Sequence, residues 1–282
     1  MEKCIICANK KFIPIYNYVL KKCDQCNYVS ANLDFESLDL SLVYDEDYFN
    51  GLEYDNYKND KDCFNKNFSK RMMRIKNKIE IDSIKNTLEI GCAYGFFGEI
   101  IQKEIPACSY KGLDIAKEAV EWGRFNLNLD LENTDYLNWE KPYNLSDIFL
   151  WDVIEHLKYP DKFIAKIHND LEENGRLYLT TGDIEAILPR IQKSKWRMIH
   201  PPSHLHYFSK KSLSTLLLNN GFKIIDIYYP LIWRSLKQIY FSLFLLNKKE
   251  RKFHIWIYNN IPARLFIPIN TFDIIMITAQ KI

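Results

Sequence analysis

Gly91 follows a short apolar strand, Thr87 to Ile90, and Gly95 precedes an apolar helix, Phe96 to Glu104. The chain must therefore turn sharply over Glu89-Ile-Gly91-Cys-Ala-Tyr-Gly95, where a ligand can approach bare backbone. From Thr87 onward, apolar strand-like runs alternate with helical segments. This order predicts a parallel sheet covered by helices on both faces. Strands are expected at Tyr110 to Leu113, around Leu129 to Leu131, and at Asp147 to Trp151 and Arg176 to Thr181. Helices are expected from Ala116 to Asn126 and from Pro160 to Leu171, the second closed by Asn174-Gly175 as its C-cap. Phe222 to Tyr229 and Asp273 to Ala279 read as two more strands.

The fold class is α/β and Rossmann-like, but the loop is not a dinucleotide fingerprint. That fingerprint needs glycines at relative positions one, three and six, and counted from Gly91 these positions hold Gly91, Ala93 and Phe96. Glu89, two residues before the first glycine, suits a ligand with an ammonium group rather than a diphosphate. S-adenosylmethionine has that group, and its carboxylate can use amides near the helix N-terminus. Asp114 closes the second strand 23 residues beyond Gly91 (114 − 91), placed to accept ribose hydroxyls. Asp135, after the third strand, is a candidate for the adenine amine. Cys92, Tyr94 and Gly95 in the loop and Ile115 beside the acid complete the candidate cofactor contacts.

Four of the seven cysteines form two pairs, Cys4-Ile-Ile-Cys7 and Cys23-Asp-Gln-Cys26, 15 residues apart. Two thiolate knuckles at this spacing can close a tetrahedron, and Lys11 to Leu20 between them reads as the hairpin of a zinc ribbon. Four thiolates leave no open position, so the zinc is structural, and it supplies folding energy that so small a ribbon lacks. The expected layout is a ribbon over 1–30, a helical lead-in and cofactor lid over 31–86, and the Rossmann-like domain over 87–282 with an inserted cap at about 186–270. The basic run Lys70, Arg71, Arg74, Lys76 and Lys78 reads as a solvated helix face.

With 38 basic and 36 acidic residues the net charge is +2, which gives no global preference for nucleic acid. The start Met1-Glu2-Lys3-Cys4 lacks a secretory pattern, so a cytoplasmic location is expected. Ile239 to Leu246 falls far short of the ~18 apolar residues of a membrane span. The aromatic segment Ile232 to Pro268 reads as a hydrophobic cap, with a substrate lid, a dimer contact and peripheral attachment to the inner membrane surface as alternatives. Oligomeric state is left open.

Leu88-Glu-Ile-Gly-Cys-Ala-Tyr-Gly95, Phe149-Leu-Trp-Asp-Val-Ile-Glu-His156 and Leu171 to Thr180 resemble successive motifs of class I S-adenosylmethionine-dependent methyltransferases. His204 through Gly221, with Phe208-Ser209 opening a helix, is similar to their ubiquinone-methyltransferase-like branch. Ala93 departs from the glycine that many members carry. The resemblance implies a seven-stranded sheet with one antiparallel edge strand. The ribbon, with Tyr44-Asp-Glu-Asp-Tyr-Phe49 and Pro268-Ile-Asn-Thr-Phe-Asp273, resembles methyltransferases that accompany bacterial surface-polysaccharide synthesis. A sugar or sugar-derived acceptor is what that likeness implies. By the same likeness, Tyr54 or Tyr57 folds over the cofactor and Trp151 packs beside it.

Methyl transfer to oxygen requires removal of a hydroxyl proton, and His156 at the end of a central strand is the first candidate base. His204 and His206, in His200-Pro-Pro-Ser-His-Leu-His206, are the alternatives. The pattern Asp152-x-x-Glu155-His156 also resembles the metal-binding stretch of some ubiquinone-pathway and small-RNA methyltransferases. It implies a divalent ion held by Asp152, Glu155, His156 and either His204 or His206. The competing reading, an RNA- or partner-binding ribbon module with a degenerate Rossmann-like domain, is disfavoured by the intact Glu89, Gly91, Gly95 and Asp114.

Overall fold

The computed structural model describes residues 3–38, 57–245, 252–262 and 264–282. Strands β1 (Phe12–Ile15), β2 (Leu20–Cys23) and β3 (Val29–Ala31) form an antiparallel meander, and helix α1 (Lys61–Lys76) follows. The alternating region comprises β4 (Asn86–Ile90), α2 (Phe96–Glu104), β5 (Ser109–Asp114), α3 (Lys117–Leu127), β6 (Leu131–Asn133), β7 (Leu145–Trp151), α4 (Pro160–Asp170) and β8 (Leu171–Gly182). Beyond it lie α5 (Ile187–Gln192), β9 (His206–Tyr207), α6 (Lys210–Asn219) and β10 (Phe222–Tyr228). The chain ends with β11 (Ile232–Ser235), α7 (Leu236–Phe244), α8 (Lys252–Asn260), β12 (Phe266–Ile269) and β13 (Ile274–Lys281).

The central sheet has the order β10-β13-β8-β7-β4-β5-β6. The chain moves from β4 outward to β5 and β6, then returns to β7 on the other flank of β4. That reversal opens a crevice at the carboxyl ends of β4 and β7, where open α/β sheets bind ligands. β7 is buried at all seven positions, as in a strand covered on both faces; its run Ile148 to Trp151 is apolar, and the buried Asp147 before it is paired with Arg176.

The expectation of an antiparallel edge strand needs correction. β13 is antiparallel to both neighbours but lies between β8 and β10, so β10 is the edge. Hydrophobicity explains the placement: Ile274 to Ala279 are all buried, whereas Phe222 alone is buried in β10. A second correction concerns Asn174-Gly175. α4 ends at Asp170, and the strand pairing breaks between Leu171 and Arg176, so these residues form an excursion within β8 rather than a helix cap. Asn174 takes the left-handed conformation there, and a Cβ on Gly175 would meet the Glu172 carbonyl at 2.8 Å. The third strand starts at Leu131, later than expected.

The termini of the helices follow local chemistry. Gly95, at φ +78°, caps α2 and frees Phe96, Phe97, Ile100 and Ile101 to bury against the sheet. Pro160 opens α4, and Ser209 and Ser212 form a reciprocal capping box on α6.

The cysteine-bearing meander is joined to the sheet domain. β3 pairs with β9 through Val29–Tyr207 and Ser30–His206, extending the meander to four strands. Cys4, Ile6, Cys23 and Tyr28 share a core with Phe208, Leu213, Leu216 and Leu217. The expected 186–270 insertion also contains β9, α6 and the central-sheet strand β10. The part that leaves the central sheet between β10 and β13 is narrower and carries the β11–β12 ribbon with α7 and α8. Among the described residues no helix is long and apolar enough to cross a membrane.

Candidate active site

A cavity of about 1020 Å³ lies over the carboxyl edge of the sheet, roofed by α1, β11 and α7. Gly91, Ala93, Asp114, Ile115, Asp135, Trp151 and Tyr57 line one part of it. Asp152, Glu155, His156, His200 and His204 line another.

Gly91 takes φ +75°, and a Cβ there would come within 2.5 Å of Val153, so both conformation and space require glycine. Asp114 fixes the loop: Ala93 N–H donates to its Oδ2 at 2.7 Å and Ala116 N–H to its Oδ1 at 2.8 Å. Burial raises its pKa, and the amide donors oppose that rise. Asp135 accepts from Leu137 N–H at 2.9 Å at the exposed rim. Tyr57 stacks on Phe64 and Tyr94, with ring centres 4.2 and 5.5 Å away.

Several expected contacts fall elsewhere. Glu89 is buried behind the loop and accepts a hydrogen bond from the Tyr110 hydroxyl; burial pushes its pKa up to about 8. Alternation along β4 turns Glu89 into the core around α2, and it does not line the cavity. Cys92, Tyr94 and Gly95 are buried in loop packing and do not line it either. Tyr44 to Phe49 and Tyr54 lie outside the described residues.

Glu155, His156 and His204 place one potential ligand atom each within 4.8 Å of one another. Nδ1 of His156 lies 2.8 Å from the Ser203 carbonyl, and Nδ1 of His204 lies 2.9 Å from the Met198 carbonyl. With those Nδ1–H groups donating to carbonyls, Nε2 is the ligand atom each ring offers. Burial lowers the pKa of His156 to about 4 and that of His204 well below its usual value, so both rings are neutral at ordinary pH. Glu155 is buried, and burial followed by the charge of Asp152 pushes its pKa up to about 8. The nearby charge of Arg71 opposes the rise in part. A buried carboxyl flanked by two neutral imidazoles is a donor set that suits a divalent cation.

His206 is not part of this group. It is buried on β9, against the cysteine meander, where Nδ1 meets the Tyr28 hydroxyl and the ring stacks near Phe208. His204 precedes β9 and its ring is held at the Met198 carbonyl, whereas His206 enters β9 opposite Ser30, so the two rings take different surroundings. His204 and His206 are both buried.

Arg71, read from sequence as part of a solvated face, is buried and lines the cavity. It reaches Asp152 Oδ2 at 3.0 Å and sits over the rings of Trp151 and Phe68 at 4.9 and 5.4 Å. Its fixed charge stands between the two parts of the cavity. Arg74, from the same run, pairs in a fork with Asp226 of β10 at 2.8 and 2.9 Å.

In the cysteine meander, Cys4 and Cys26 sulfurs are 3.5 Å apart and Cys7 and Cys23 sulfurs 3.6 Å, with all four within 4.8 Å. Tetrahedral coordination with Zn–S near 2.3 Å requires sulfur separations of about 3.8 Å, so the four thiols fit that ion.

A family profile described as a methyltransferase domain matches residues 64–227, more than half of the chain. The chain belongs to this methyltransferase-domain family. The mitochondrial ubiquinone biosynthesis O-methyltransferase of Candida albicans is 25% identical over 126 residues, spanning 38% of each chain. An S-adenosylmethionine-dependent methyltransferase from Archaeoglobus fulgidus has the same fold, with a TM-score of 0.52, 17% identity, and coverage of 86% of this chain and 100% of that one.

Proposed function

We propose that the chain transfers a methyl group to a hydroxyl oxygen of a small, sugar-like acceptor, with a divalent ion held by Glu155, His156 and His204. The observation that carries this reading is the convergence of those three groups in the same cavity as Gly91 and Asp114. When bound, S-adenosylmethionine supplies an electrophilic methyl on sulfur. Its ribose is assigned to Asp114, its adenine to the region of Ile115 and Asp135, and its charged end to the vicinity of Arg71 and Trp151. A divalent ion would lower the pKa of an acceptor hydroxyl. Asp152 stands beside the three ligands as a further carboxylate. If chelation leaves transfer unaffected, neutral His156 is the base that remains to take the hydroxyl proton.

Transfer to oxygen is supported by the likeness over 126 residues to the Candida relative, an O-methyltransferase. The sugar-derived class, and a place in surface-polysaccharide synthesis, rest on the likeness of the ribbon and its flanking sequences. The test is a screen of hydroxylated sugars and sugar nucleotides with methyl-labelled cofactor, run with Mg²⁺ and with chelator. Label transferred to a hydroxyl only when divalent ion is present is expected. Transfer indifferent to chelation would remove the ion, and label on carbon or nitrogen would remove O-methylation.

Cys4, Cys7, Cys23 and Cys26 are assigned a structural zinc. Metal analysis is expected to find one zinc per chain, and Cys4→Ser to lower the thermal midpoint because ion binding contributes to folding. A zinc-free protein indifferent to that substitution would reject the assignment.

A further inference from the structure

Between Tyr228 and Thr271 seven Lys and Arg residues face a single acid, Glu250, a net charge of +6 (7 − 1) in a chain whose total is +2. The remainder of the molecule is therefore net negative, at −4 (2 − 6). This basic stretch contains the two helices added outside the central sheet.

α8 has no buried residue, although Phe253, Ile255, Trp256, Ile257 and Tyr258 make most of it apolar or aromatic. Phe253 is 66% exposed and Trp256 64%. The helix is nevertheless anchored. Tyr240 of α7 contacts His254 Nδ1 through its hydroxyl at 2.7 Å, Phe244 stacks on His254 at 5.2 Å, and Phe241 meets Tyr258 at 6.2 Å. Exposed aromatic surface held on a fixed support, with Lys252 beside it, calls for a partner that is apolar beneath an anionic surface.

We propose that α7 and α8 form a docking surface for a bilayer containing anionic lipid, with Phe253 and Trp256 entering the interface and Lys237 of α7, which sits over the Tyr258 ring, and Lys252 of α8 meeting the headgroups. The two signals act together, since apolar insertion and basic charge each bind weakly alone. A second copy of the chain is disfavoured because it would oppose one +6 segment to another. The surface adjoins the cavity: Gln238 and Leu243 of α7 line its wall. On the functional reading proposed above, the acceptor would then be one carried at a membrane.

The test is flotation of the 282-residue, zinc-loaded chain with vesicles of phosphatidylcholine alone or mixed with phosphatidylglycerol, which needs no methyl acceptor. Binding to the mixed vesicles, reduced by added salt and weakened about tenfold or more by Phe253→Ser with Trp256→Ser, is expected. Unchanged affinity for S-adenosylhomocysteine and an unchanged circular dichroism spectrum would show that the variant is folded. No flotation with the anionic vesicles, or equal flotation of the variant, overturns the proposal. So does a wild-type dimer in sedimentation that the same substitutions dissociate, since the surface would then belong to a second copy. A negative vesicle result leaves the methyl-transfer screen untouched, so the two readings fail separately.

Discussion

Asp114→Ala is expected to weaken binding of S-adenosylhomocysteine by about a hundredfold or more, from the loss of two hydrogen bonds to a charged acceptor at roughly 1.5–3 kcal/mol each. Two roles meet in this carboxylate. It ties the Ala93 and Ala116 amides, which holds the glycine loop against the start of α3, and it faces the cavity where ribose hydroxyls are assigned. Asp114→Asn separates the roles, because the amide oxygen can still accept one backbone N–H while the charge is gone. Calorimetric affinity is expected to fall in the order wild type, Asn, Ala. Equal affinities in proteins of equal thermal midpoint would assign Asp114 to loop structure alone.

Glu155→Gln is expected to reduce Mn²⁺ affinity by at least the roughly 10–100-fold that even outer-shell changes cost at metal sites. The loss follows from removing the one anionic ligand among Glu155, His156 and His204. Affinity for S-adenosylhomocysteine should stay within about twofold, since Asp114 and the glycine loop are untouched and distant independent sites act additively. Paramagnetic titration of free Mn²⁺ reads the first quantity and calorimetry the second. Wild-type Mn²⁺ affinity in the variant would discard the ion and leave His156 as an unassisted base.

The sheet was legible because its signals are local. Gly91 and Gly95 bracket a turn, β7 closes on the apolar run Ile148 to Trp151, and α2 occupies the span that its apolar pattern marks. What the pattern could not carry was which strand takes an inner position, since β13 and β10 both read as apolar and their order is decided by pairing across the whole chain. The same distinction runs through the site. Asp114 and Asp152 sit at strand ends, where sequence order implies the cavity edge. Glu89 does not, because one step of strand alternation turns it into the core. His204 and His206 are two residues apart, a spacing that would put them on one face of a regular strand, but β9 begins only at His206 and the Met198 carbonyl holds the His204 ring elsewhere. Arg71 was missed although a signal existed. It falls in register with Phe64, Phe68, Met72 and Ile75, on the apolar face of α1, and a charge on that face is buried against something rather than solvated.

The most direct measurement is a calorimetric titration of the folded, zinc-loaded wild-type chain with S-adenosylhomocysteine, repeated with Asp114→Ala. One saturable site per chain, severely weakened by the substitution, is expected if the cavity beside Gly91 and Asp114 holds the cofactor. No binding by a chain whose fold is verified by circular dichroism, or full binding by Asp114→Ala, would contradict it.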